Sequence, residues 1–214
     1  MRRVAVIDYG MGNLRSVSKA LEAVAGDVTV EVTSDPTRIL TACHVVFPGV
    51  GAMRDCVAEL KRLELEDVIR RVISNGTPTL GICLGMQAML SHSEENSGTE
   101  GLNIIAGNVR HFDIKPSANG EHLKVPHMGW NQVHQTSIHP LWHKIEQDSR
   151  FYFVHSYFVA PEDAAVTAAT TAYPDAFASA IHKDNVFAVQ FHPEKSQHAG
   201  LQLLENFLNW DGKS

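Results

Sequence analysis

Short apolar runs separated by stretches of helical spacing constrain this chain more than any other feature. Residues 4–7 form a continuous apolar run, as a strand covered on both faces requires. Gly10 and Gly12 then break it, and Leu14, Val17, Ala20, Leu21 and Val24 recur at helical spacing. The same alternation continues with strands expected at 28–32, 44–47 and 80–82. Helices are expected at 36–40, the first with Ser34 as its cap, and at 52–63, 66–74 and 84–90. Asn75-Gly76-Thr77-Pro78 stops one of them. Strands joined by helices in this way give a parallel sheet with helices on both faces. Ligands then bind beyond the carboxyl ends of the strands. Gly10, Gly12, Gly49, Gly51 and Cys83 all fall at that edge.

The second half reads differently. Strands are expected at 108–112, 130–134, 150–159, 166–172, 178–182 and 186–191, with few helices between them and a last helix over 197–210. That pattern implies a mixed or antiparallel extension of the same sheet. Residues 92–101 and 115–122 read as polar loops. The length of 214 residues suits one α/β domain spanning 1–214, with a core that needs neither disulfide nor metal. A net charge of -6 argues against a nucleic-acid or anionic-membrane surface. The twelve histidines are scattered without metal-ligand spacing, and no cofactor is implied. Three cysteines make no disulfide framework, so a reducing compartment is expected. The start carries no secretory signal, and no run approaches the roughly 18 apolar residues that span a bilayer. A soluble, cytoplasmic protein is the expectation.

Chemistry concentrates in two segments. Gly81-Ile82-Cys83-Leu84-Gly85 is a cysteine form of the G-x-S-x-G elbow. In such an elbow a strand turns sharply into a helix, and the small flanking residues let the two approach. The thiol then faces the positive end of the helix dipole, which favours thiolate. A buried, inert cysteine is the alternative, and it is the reading given to Cys43 and Cys56. The second segment is Gln190-Phe191-His192-Pro193-Glu194, after an apolar strand. Residues i and i+2 of an extended segment face the same side, so Glu194 can hold the His192 imidazole in one tautomer. His192 could equally be a surface histidine at a strand end. Attack on an amide also needs donors for the oxyanion; the backbone N–H of Leu84 is one candidate, and the Gly49-Val50-Gly51 turn offers another. Gln87 lies one helical turn beyond Cys83 and can face the same cleft. His155 either lines that pocket or packs as a strand residue.

These segments resemble the class I (triad) glutamine amidotransferases. More narrowly, Asp8-Tyr9-Gly10-Met11-Gly12-Asn13-Leu14, Pro48-Gly49-Val50-Gly51, Cys83-Leu84-Gly85-Met86-Gln87, Pro126-His127-Met128-Gly129-Trp130-Asn131 and His192-Pro193-Glu194-Lys195-Ser196 are similar to the glutaminase subunits of imidazole glycerol phosphate synthase. The resemblance implies a flavodoxin-like amidotransferase fold. It implies that Cys83 attacks the glutamine side-chain amide, that His192 handles the protons, and that Glu194 orients His192. Gly49, Gly51, Leu84, Gln87, Glu95, His155 and Ser156 would form the substrate and oxyanion region. Asn13, Met128, Trp130 and Lys195 would lie near a docking face for a (β/α)8-barrel cyclase subunit, which would receive the ammonia as one half of a heterodimer. From its residues alone Trp130 fits a core as well as an interface. Three alternatives stay open: a glutaminase serving another synthase, a cysteine hydrolase acting on γ-glutamyl or peptide chains, and a non-enzymatic thiol sensor.

Overall fold

The computed structural model describes residues 2–113 and 124–213; the expected polar loop over 115–122 lies outside them. The chain opens with β1 (Arg3–Ile7), α1 (Leu14–Val24), β2 (Thr29–Thr33), α2 (Pro36–Leu40), β3 (His44–Gly49), α3 (Met53–Arg62), α4 (Leu65–Ser74), β4 (Thr79–Cys83) and α5 (Leu84–Ala88). Two-residue strands follow, β5 (His92–Ser93) and β6 (Thr99–Glu100), then β7 (Gly107–His111), β8 (His127–Gln132), β9 (His134–Gln135), β10 (Arg150–His155) and β11 (Tyr157–Pro161). The chain ends with β12 (Thr167–Ala172), β13 (Ala176–Lys183), β14 (Val186–Val189) and α6 (Gln197–Asn209).

Among the described residues one large sheet runs β2-β1-β3-β4-β14-β13-β11-β7-β5-β6. Its first five strands are parallel, and β14-β13, β13-β11 and β11-β7 are antiparallel. The side-chain period of two explains why the apolar runs are continuous. Val4 and Val6 face one core with Leu21 of α1 and Leu203, Leu204 and Phe207 of α6. Ala5 and Ile7 face the other, with Ile39 of α2, Leu60 of α3 and Ile69 of α4. Helix α4 shows the complementary pattern, burying Leu65, Val68, Ile69 and Val72 at i, i+3, i+4 and i+7. The strand β2 is half exposed because it closes the edge of the sheet.

Four expectations need correction. The segment 150–159 is not one strand. It divides at Ser156 into β10, which pairs with β8 in a separate two-stranded sheet, and β11, which joins the large sheet. The antiparallel part is therefore not wholly an extension of one sheet. The cap of α2 is Asp35 rather than Ser34: its carboxylate accepts from the backbone N–H groups of Thr37 at 2.8 Å and Arg38 at 3.4 Å. The segment 92–101 is not only loop, since β5 and β6 pair there as a small hairpin.

Candidate active site

The elbow is built as the sequence suggests. Cys83 ends β4 and immediately precedes α5, with φ 53 and ψ -107, a left-handed conformation that a side chain rarely adopts. Close packing around it demands small residues. A Cβ on Gly85 would sit 1.9 Å from the Phe47 carbonyl oxygen, and one on Gly81 would sit 2.9 Å from the Ala188 Cβ. The strained turn is thus held between β3 on one side and β14 on the other. Cys83 is only 6 % exposed, and the Gln190 side-chain amide donates to its sulfur at 3.6 Å. The other thiols sit elsewhere. Burial pushes the Cys56 thiol up to about 12, so it stays protonated, and the Cys43 thiol donates to the Arg3 carbonyl at 3.0 Å.

His192 and Glu194 follow β14, the parallel neighbour of β4. That adjacency brings the two distant segments to one place. Nδ1 of His192 and Oε1 of Glu194 are 2.8 Å apart, with both side chains almost fully buried. Ser196 fixes the turn: its hydroxyl donates to the His192 carbonyl at 2.6 Å and accepts from the Tyr152 N–H at 3.0 Å. Burial alone disfavours a charged His192, but the adjacent Cys83 sulfur and the Glu194 carboxylate outweigh it and hold the imidazole well above its ordinary value. With Nδ1 committed to Glu194, the other ring nitrogen, Nε2, has no hydrogen-bond partner among the described residues and is placed for proton transfer.

Val50, Gly51, Cys83, Leu84, Gln87, Glu95, Pro126, Val154, Ser156, Tyr157 and His192 line one cleft of about 340 Å³. Of the residues expected to hold substrate, Gly51, Leu84, Gln87, Glu95 and Ser156 lie there. Gly51 adopts φ +100, which explains the need for glycine. Glu95 accepts from the Met53 N–H at 2.7 Å, at the start of α3. Two expectations fail. Gly49 does not line the cleft; a Cβ there would meet the Tyr9 hydroxyl at 2.3 Å and the Leu84 Cβ at 2.9 Å, so glycine is required by packing. His155 does not line it either; its ring packs on Phe112 and Phe177, and its nitrogens bond the Tyr157 carbonyl and His127. The sequence reading also gave no role to Tyr9, whose hydroxyl donates to the Pro48 carbonyl at 2.9 Å and braces the turn before Gly51, or to Gln190. Their only sequence signal was position, beside Gly10 and two residues before His192.

Met128 and Trp130 alternate along β8 with 61 % and 40 % exposure. The Trp130 and Tyr152 rings meet edge to face at 6.2 Å, and the Lys195 ammonium lies 5.7 Å from the Tyr152 centroid. This is a contiguous group on the surface, so Trp130 is not a core residue. Asn13 caps α1, accepting from the Ser16 N–H at 3.4 Å.

Comparison with known proteins agrees with this geometry. The family described as glutamine amidotransferase class-I matches residues 5–210. This chain belongs to the class-I glutamine amidotransferase family. Among its relatives, the imidazole glycerol phosphate synthase subunit HisH of Nitrosococcus oceani is 59 % identical over 214 residues, covering 100 % of both chains. The HisH subunit of Methylococcus capsulatus is 58 % identical over 213 residues, covering 99 % of this chain and 98 % of its own. Similar folds occur in a solved glutamine amidotransferase (TM-score 0.74, 15 % identity, 98 % of both chains) and in PurLQS from Thermotoga maritima (TM-score 0.73, 16 % identity, 97 % of this chain and 98 % of that one). This class-I amidotransferase has no helix, among its described residues, long and apolar enough to cross a membrane.

Proposed function

We propose that this chain, acting as a single domain over 1–214, is the glutaminase subunit of imidazole glycerol phosphate synthase, and that Cys83, His192 and Glu194 hydrolyse glutamine to glutamate and ammonia. The observation that carries the reading is the buried, carboxylate-held imidazole whose free nitrogen opens on the cleft that also contains the elbow thiol. Identity above half the sequence to full-length HisH subunits supports the assignment within the family.

In the first half-reaction the Cys83 thiolate attacks the side-chain amide carbon of glutamine. Backbone N–H groups at Leu84 and Gly51 receive the oxyanion. The His192 imidazolium gives its proton to the departing nitrogen as the C–N bond breaks, leaving a glutamyl thioester and free ammonia. The neutral imidazole then takes a proton from water, hydroxide attacks the thioester, and glutamate leaves as the thiolate is restored. Glu194 keeps Nδ1 protonated throughout and stabilises the imidazolium. Gln87, Glu95 and Ser156 line the space for the substrate.

The ammonia passes to a (β/α)8-barrel cyclase subunit docked over Met128, Trp130 and Lys195, with Asn13 at its margin. There it enters imidazole glycerol phosphate, with aminoimidazole carboxamide ribotide as the second product. Exposed aromatic and methionine side chains have the composition of an interface centre, with the lysine at its polar rim. The test is steady-state glutamate release with and without the barrel subunit and its nucleotide ligand. Strong stimulation is expected, and equal rates would overturn the partner assignment.

A further inference from the structure

A continuous polar chain lies behind the cleft, and its direction is fixed at both ends. On the outer side the Asn131 amide donates to the Ala172 carbonyl at 3.0 Å, while its oxygen accepts from the Gln132 N–H at 2.8 Å. Its remaining N–H must therefore point at Nε2 of His127, 3.1 Å away, which makes that nitrogen an acceptor. Nδ1 of His127 then donates to Nε2 of His155 at 2.9 Å, and Nδ1 of His155 donates to the Tyr157 carbonyl at 2.7 Å. That same carbonyl accepts from the Gln87 side-chain amide at 3.0 Å. The second Gln87 N–H donates to Oε1 of Gln190 at 3.1 Å, so the Gln190 amide nitrogen must face the Cys83 sulfur, at 3.6 Å. Each link from Asn131 to the Cys83 sulfur therefore has one direction. A carbonyl can only accept and an amide N–H can only donate, so neither imidazole has room for a second proton.

We propose that Gln190, Gln87 and the His155–His127–Asn131 chain form one positioning relay that aims an amide N–H at the Cys83 sulfur from the strand β8, which also carries the exposed Met128 and Trp130. This deepens the glutaminase reading and rests on it. A thiolate needs a donor when water is excluded, and Gln190 supplies one without competing for the proton that His192 must move. The relay is built into the core. His127 and His155 are cross-strand partners of β8 and β10, stacked among Phe112, Phe153 and Phe177. Burial holds His127 down to about 4. It holds His155 down to about 3, against the Tyr157 hydrogen bond and with the charges of His127 and His192 adding to the effect. Both stay neutral while the neighbouring His192 carries charge.

The experiment follows Cys83 alkylation by iodoacetamide across pH in the whole isolated chain, alongside kcat and KM in the complex with the barrel subunit. Gln190→Met removes the donor at similar volume. It is expected to slow alkylation at neutral pH and lower kcat about tenfold each, the scale of one hydrogen bond to a charged group, with KM little changed. His155→Leu is expected to slow alkylation about threefold, and to add nothing in the Gln190→Met background, as one network demands. His155→Gln, which keeps a donor toward Tyr157, is expected to restore most of the rate. The proposal is overturned by wild-type alkylation in Gln190→Met, or by His155→Leu having the same effect in both backgrounds. If Gln190→Met does not fold, equal rates for His155→Leu and His155→Gln overturn it. Alkylation does not need glutamine turnover. Relay effects on alkylation in a chain that never hydrolyses glutamine would therefore sink the functional reading and leave the relay standing.

Discussion

One buried histidine is held charged beside a buried pair of histidines that is held neutral. His192 has Glu194 at 2.8 Å and the Cys83 sulfur beside it, and these hold the imidazolium against the cost of burial. His155 and His127 are also buried, and their hydrogen-bond and ring partners are aromatic rings, each other, a backbone carbonyl and an asparagine amide; burial drives both down. Burial does not by itself decide the protonation state of an imidazole; the partner on the far nitrogen does. One site is arranged to pass a proton, and the other to refuse one.

The largest effect should come from making the first site resemble the second. Glu194→Gln removes the counter-charge at almost unchanged shape. Glutamate release in the complex is expected to fall by about 10²–10⁴-fold, because Nδ1 loses the group that fixes its tautomer and stabilises the imidazolium. The pH at which His192 titrates, followed by NMR of the side chain, is expected to drop as well. An unchanged titration would mean that Glu194 is not what raises it.

Stability against pH should separate the two sites by sign. For His127 and His155 the folded values are depressed below the unfolded value of about 6.5. Their contribution is complete above that value and is lost as pH falls toward about 4 and about 3. The melting temperature is therefore expected to decline across this acid window, and His155→Gln should flatten the decline while lowering the plateau. His192 is raised, so its contribution is complete below about 6.5 and is lost as pH climbs through its higher folded value. A melting temperature that is flat in acid would break the contrast.

A smaller effect should follow at the turn beside the elbow. Tyr9→Phe strips the Pro48 carbonyl of a buried donor. A loss of about 1–3 kcal/mol in unfolding free energy is expected from urea titration, the usual cost of a buried group left unsatisfied. A change below a few tenths of a kcal/mol would show that the carbonyl finds another donor.

Much of the proton-passing site could be read from the sequence, and little of the other. The run at 4–7, the helix from Leu14 and the Gly81–Gly85 spacing all carry local signals: period, glycine placement and a turn that only one geometry satisfies. His192 and Glu194 stand out because i and i+2 share a face. The division of 150–159 at Ser156 left no such mark, since aromatic and apolar residues continue on both sides of it while the two halves join different sheets. His155 stays open between pocket and strand packing in the sequence, because a strand that changes sheet also changes the side to which its residues point. Gln190 and Tyr9 were silent because a polar residue just past an apolar strand reveals its partner only after residues about a hundred positions away, or from another strand, have arrived.

The account stands most directly on a covalent bond to one sulfur. In rapid-quench mass spectrometry of the complex turning over glutamine, a glutamyl adduct is expected on the peptide holding Cys83 and on neither Cys43 nor Cys56, and Cys83→Ala is expected to release no glutamate while still using added ammonia. Full-rate glutamate release by Cys83→Ala, with no adduct in the wild type, would contradict it.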